Sequence, residues 1–231
     1  MNATIDAPAS ALVIAAHPDD AEFGCGGTIG HWVARGADVR FLLLTSGDKG
    51  SHDPTASPFA LAALREQEQA EAARRLGVRE VRFLRLLDGE IEATRDLRAR
   101  LCLIIRQMRP EVVVTHDPWR LYQLHPDHRA TGLVASDAVI AARDHLFFPE
   151  QLVGGLTHHR AKEIWFFTTD HPNRWIDISA TVGGKIAALR AHHSQVAHLV
   201  DLEERVHQRA RQMGESRGLD SAEEFHRVEL S

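Results

Sequence analysis

Four short apolar runs, each followed by a stretch of helical character, constrain this chain more than any other feature. Residues 11–16 (ALVIAA) carry no polar alternation, the pattern of a parallel strand buried on both faces. Residues 39–45 (VRFLLLT), 81–84 (VRFL) and 111–115 (EVVVT) repeat the pattern. Between them, a loop with Gly24, Gly26 and Gly27 leads into a helix to about Ala34, closed by Gly36. Further helices are expected over 59–76, 93–108 and 129–143. A β-α repeat of this kind demands an α/β fold, a Rossmann-like, mostly parallel central sheet with helices on both faces. Residues 163–168 and 175–178 read as further strands, and 181–194 and 201–217 as helices.

With 231 residues the chain suits one large domain spanning 1–231. The formal net charge of −5 gives no support to nucleic acid or an anionic membrane as a partner. The Arg74–Arg75 pair sits among Glu66, Glu68 and Glu71, and this segment reads as a solvated helix face. Two cysteines, Cys25 and Cys102, build no disulfide framework and fit a reducing cytoplasm. The N-terminal residues carry no basic leader, and the apolar run after them stops at His17, too short to span a membrane.

In an open sheet wound from the middle, with strand order 3-2-1-4-5, strands one and four are neighbours whose connections leave in opposite directions. A ligand crevice opens at their carboxyl ends. Both loops there are loaded. The first reads His17-Pro18-Asp19-Asp20-Ala21-Glu22, and the second runs from His116 to His128 and contains His125-Pro126-Asp127-His128. A catalytic divalent metal takes three His, Asp or Glu ligands and keeps one position open. His17 and Asp20 form a close pair, and His128 or His125 supplies the third. Each tripeptide alone shapes turns as readily as it binds metal, and Asp20 or Asp127 can simply cap a helix. Two of them flanking one crevice are harder to explain that way.

At these residues the chain resembles the PIG-L/LmbE-like deacetylase family. AHPDDAEFGCGGT (16–28) is similar to its first motif and LHPDHRATG (124–132) to its second. Weaker similarity runs through LTSGDKG, REQEQAEAARRLGV, LLDGEI and KIAALRAHHSQ. The resemblance implies an LmbE-like fold and zinc held by His17, Asp20 and His128, with room for another divalent metal. It implies Asp19 as general base and then acid, and a protonated His125 stabilising the oxyanion, oriented by Asp127. The implied reaction removes the N-acetyl group of an N-acetylglucosamine-type sugar or conjugate.

The resemblance also points to Arg65, Asp48, Asp88 and His192 as substrate-binding positions. Asp48 stands where relatives usually carry Glu, and Tyr122 does not match the place of their tyrosine. It implies self-assembly, since several members form hexamers. Specificity is expected in loops 46–58 and 119–124, where Trp119 and Tyr122 could stack on a sugar, and in 147–160. Two other readings compete. One is a metal-dependent amidase acting on a non-sugar or larger conjugate. The other is a nucleotide binder without catalysis, which Ile29 opposes by standing where the third glycine of a dinucleotide loop belongs.

Overall fold

The computed structural model describes residues 7–230; the first six residues of the N-terminal stretch read above lie outside them. Among the described residues the strands are β1 (Ser10–Ala15), β2 (Asp38–Thr45), β3 (Glu80–Leu86), β4 (Val112–His116), β5 (Glu163–Phe167), β6 (Arg174–Asp177) and β7 (Ala222–Glu229). The helices are α1 (Asp20–Val33), α2 (Pro58–Leu76), α3 (Arg95–Met108), α4 (Pro126–Arg143), α5 (Val182–Leu189), α6 (His193–Val196) and α7 (Leu202–Glu215). The seven strands form one sheet in the order β3-β2-β1-β4-β5-β7-β6. β1 to β5 pair in parallel, as the sequence requires, whereas β7 runs antiparallel between β5 and β6.

The apolar runs are explained by two cores, one on each face. Ala11, Val13 and Ala15 of β1 pack with α1, α2, α5 and α7. The intervening Leu12 and Ile14, with Ala16, pack with α3 and α4. A strand covered on both sides has no position at which a polar side chain meets water, so alternation disappears.

Three expectations are corrected. The glycine stretch lies inside α1, not in a loop before it; the helix is broken at Cys25 (φ −149°, ψ 19°). There the Glu223 carboxylate of β7 accepts the Gly27 and Thr28 backbone N–H groups at 3.0 and 2.7 Å, capping the second half of the helix. The expected helix 181–194 stops at Leu189 and resumes as α6. Glu68 belongs to no solvated face: it is buried and accepts from Ser194 N and Oγ at 2.7 and 2.6 Å. Arg74, Arg75 and Glu71 do form exposed ion pairs.

Residues 147–160 hold a 3-10 turn (Pro149–Gly155) anchored by Arg106. The fully buried Arg106 guanidinium donates to the carbonyls of Ala141, Ala142, Asp144, Phe147 and Phe148 and to Gln151 Oε1. These include the last carbonyls of α4, where a cation complements the helix dipole. No helix of the described residues is long and apolar enough to cross a membrane.

Candidate functional site

β1 and β4 are neighbours, and the chain leaves them in opposite directions. The β1–α1 turn and the N-terminus of α4 therefore meet above their carboxyl ends. Pro126 opens α4 at a position that needs no N–H, so His125, Asp127 and His128 fall on its first turn. Gly132 lets α4 lie flat on the end of β4: a Cβ there would stand 2.5 Å from the His116 carbonyl oxygen.

His17, Asp20 and His128 come together. His17 Nδ1 lies 3.3 Å from Asp20 Oδ2 and His128 Nε2 lies 3.2 Å from Asp20 Oδ1. The two ring nitrogens are 3.3 Å apart. Tetrahedral ligands with bonds of about 2.0–2.1 Å stand about 3.3–3.4 Å from one another, so the spacing suits one metal ion. The backbone N–H of His17 donates to Asp20 Oδ2 at 2.8 Å, which fixes the carboxylate. His116, Asp20 and His128 form a second candidate set, and His17, His125 and His128 a third.

His17 distinguishes these sets. Its Nε2 faces Asp127 Oδ2 at 3.0 Å and Asp88 Oδ1 at 3.1 Å. Two carboxylates hold the proton on Nε2 and leave the Nδ1 lone pair for a metal, the arrangement that metal-ligating histidines adopt. Burial disfavours the charged ring, but Asp127, Asp20 and Asp88 outweigh it and push His17 up to about 12. His116 is different. Burial lowers its pKa below the ordinary value, and its Nε2 lies 3.3 Å from the Ala16 N–H and 3.2 Å from Asp20 Oδ2.

Asp19 occupies a costly conformation, φ 92° and ψ −26°, outside the range most side chains adopt. A buried scaffold holds it there. Its N–H donates to Gln69 Oε1 at 3.0 Å, and Arg65 donates to Pro18 O at 2.7 Å, to Gly47 O at 3.0 Å and to Asp19 Oδ2 at 3.3 Å. Gln69 in turn donates to the buried Glu22 at 2.6 Å, and Glu22 faces His192 at 3.4 Å. Burial, then the Asp20 charge, push Asp19 up to about 7, against the pull of Arg65. Burial also raises Asp20, but His116 first, then His128 and His17, hold it well below the carboxylate range.

Several sequence expectations change. Asp127 does not orient His125: its Oδ2 accepts His17 Nε2 and Gly89 N, and its Oδ1 accepts Ile91 N. Burial, with His17 and His128, lowers the His125 pKa from its ordinary value, against the pull of Asp127 and Asp20. Arg65 and His192 are buried, Arg65 against Asp19 and His192 against Glu22. Asp88 backs His17, and Asp48 accepts the Asp88 N–H at 3.0 Å behind it. Trp119 is exposed and packs edge-on against Phe166, and Tyr122 is exposed.

The cavity over the site measures about 370 Å³ and is lined by Asp20, His116, His125, His128, Phe23 and Arg209, among others. The sequence assigned no role to Gln69, Phe23 or Arg209, and placed Glu22 only among the residues of the first loop. Gln69 and Glu68 carried a signal: with Arg65, Ala72 and Leu76 they recur on one helical face, which α2 buries.

Comparison with known proteins places the architecture among enzymes. A diacetylchitobiose deacetylase of Thermococcus kodakarensis is 39% identical over 184 residues, covering 80% of this chain and 69% of the relative. The solved N,N'-diacetylchitobiose deacetylase of Pyrococcus horikoshii superimposes with a TM-score of 0.92 at 33% identity, covering 97% of this chain and 85% of that one. The 4-carboxy-2-hydroxymuconate hydratase GalB of Pseudomonas putida superimposes with a TM-score of 0.82 at 25% identity, covering 96% and 97%. Residues 12–139, which contain both His-Pro-Asp loops, match the GlcNAc-PI de-N-acetylase model, and on that match this chain belongs to the PIG-L family.

Proposed function

We propose that this chain is a zinc-dependent N-deacetylase that releases acetate from an N-acetylglucosamine-type sugar or sugar conjugate. The convergence of His17 Nδ1, Asp20 and His128 Nε2, with Asp19 beside them, carries this reading. The two diacetylchitobiose deacetylases among its relatives support the substrate class.

His17, Asp20 and His128 would hold the metal, which supplies Lewis-acid polarisation of the amide carbonyl and a lowered pKa for water. Asp19 takes the proton of the attacking water and returns it to the amine nitrogen as the C–N bond breaks. A pKa near neutrality suits a group that must do both. His125, lining the cavity, donates a ring N–H to the oxyanion, and the N-terminus of α4 adds its positive dipole end. Asp127 and Asp88 orient His17, and Arg65, Gln69, Glu22 and His192 hold Asp19 in place.

The whole chain works as one domain in this reading, because Phe167 and Arg209 from its later part line the same cavity. Both cysteines are free and buried, which fits a reducing cytoplasm. Self-assembly is part of the proposal, since Phe59, Leu87, Leu146 and Val153 point outward.

The test is acetate release by zinc-loaded protein from diacetylchitobiose and N-acetylglucosamine, beside a panel of non-sugar acetamides. Turnover of the sugars, lost in Asp19→Asn with metal content retained, is expected. Cleavage confined to non-sugar amides would favour the amidase reading, and no acetate from any substrate would overturn the proposal.

A further inference from the structure

A second cavity of about 240 Å³ lies beside the first, between α1, α7 and β7. Its wall is largely apolar, built from Leu202, Val206, Ala210 and Met213 of α7 with Ala222 of β7. Phe23, Gly24, Thr168 and Arg209 line both cavities, so the two form one continuous concavity.

The junction is unusual in three ways. Gly24 presents bare backbone, and a Cβ there would run into the Phe167 ring. Thr168 has a φ of 57°, costly for a β-branched residue and a kind of strain that gathers at ligand sites. Arg209 stands exposed at the junction, its charge acting on Glu224 of the same wall.

Lys185, Glu223 and Arg205 of the second cavity are already engaged, which leaves Arg209 at its mouth. Lys185 donates to Glu223 at 2.6 Å and to Phe23 O at 2.8 Å. Glu223 also accepts from Gly27 and Thr28, and Arg205 pairs with Asp201 at 2.8 Å. Away from Arg209 the wall therefore rewards apolar contact. A cavity of about 150 Å³ suffices for benzene, so a phenyl ring or a short alkyl chain fits this one.

We infer that this cavity is a second subsite, which receives an apolar alkyl or aryl group carried by the sugar substrate and joined to it past Thr168 and Arg209. This rests on the deacetylase reading of the first cavity. The substrate class then narrows from amino sugars in general to conjugates with an apolar aglycone.

The experiment is a ladder of methyl, hexyl and phenyl glycosides of N-acetylglucosamine, assayed for acetate release by zinc-loaded protein. The hexyl and phenyl glycosides should show KM at least tenfold below the methyl glycoside. Ala210→Phe, which fills the cavity, should abolish that advantage and leave kcat/KM for the methyl glycoside within about twofold. The wild-type ladder decides by itself should Ala210→Phe fail to fold. Equal KM along the ladder would overturn the subsite and leave the deacetylase reading standing. Absence of acetate from every glycoside would overturn that reading and the subsite with it.

Discussion

Replacing Asp127 by Asn tests whether this carboxylate serves the metal ligand or the oxyanion histidine. Its side chain is fully buried and accepts three donors: His17 Nε2 at 3.0 Å, Gly89 N at 2.7 Å and Ile91 N at 3.1 Å. Asn has one oxygen and one NH2 group, so at least one of the three donors would face another donor. An unsatisfied buried group costs about 1–3 kcal/mol. At about 2–4 °C per kcal/mol for a chain of this size, Tm should fall by roughly 2–12 °C. His17 also loses a partner that fixes its proton on Nε2. Such losses cost about 10–100-fold in metal affinity. Asp88 Oδ1 still faces Nε2 at 3.1 Å, so the lower part of that range is expected. Zinc competition against a chromogenic chelator measures the affinity, and thermal unfolding of the metal-free protein measures the stability. Unchanged zinc affinity with a lower kcat alone would refute the reasoning and restore His125 as the partner of Asp127.

Gly132→Ala puts a Cβ 2.5 Å from the His116 carbonyl oxygen and 2.8 Å from Pro118, forcing α4 off β4; thermal unfolding should show a loss of about 1–3 kcal/mol or more, with kcat reduced. Arg106→Met fills similar space but strands the carbonyls that Arg106 now satisfies; urea unfolding should show a loss on the order of 3–5 kcal/mol. His159 has its pKa lowered from 6.5 by burial, while its ring N–H donates to Pro110 O at 2.7 Å. The unfolded chain therefore takes up this proton first, so the contribution is fully present above about pH 6.5 and is lost as pH falls through the depressed folded value. Urea unfolding at pH 7.5 and 5.5 should give a smaller loss for His159→Gln than for the wild type, and equal losses would contradict this.

The parallel half of the sheet was legible because a strand buried on both faces shows an unbroken apolar run, as ALVIA in β1 and VVV in β4 do. β7 was not legible. Its Glu223, Glu224 and Arg227 look like surface residues in sequence, yet Glu223 caps the broken α1 and Arg227 pairs with Glu163 across the sheet. The same limit applies at the site. The strand order brings the two His-Pro-Asp loops to one crevice, so the histidines and aspartates that meet there could be named from the sequence. The contact of Asp127 with His17 could not: the resemblance implied His125 as its partner, whereas the first turn of α4 aims the carboxylate at His17. Arg65 and His192 read as surface or substrate contacts because a charged residue on a helix usually faces water. Here they hold the strained Asp19 from below.

The most direct test of the central claim is anomalous diffraction at the zinc edge from crystals grown with zinc. The account expects one peak about 2.0–2.1 Å from His17 Nδ1, an Asp20 carboxylate oxygen and His128 Nε2, absent in Asp20→Ala. A peak bonded to His116 instead of His17, or no peak at full zinc occupancy of the protein in solution, would contradict it.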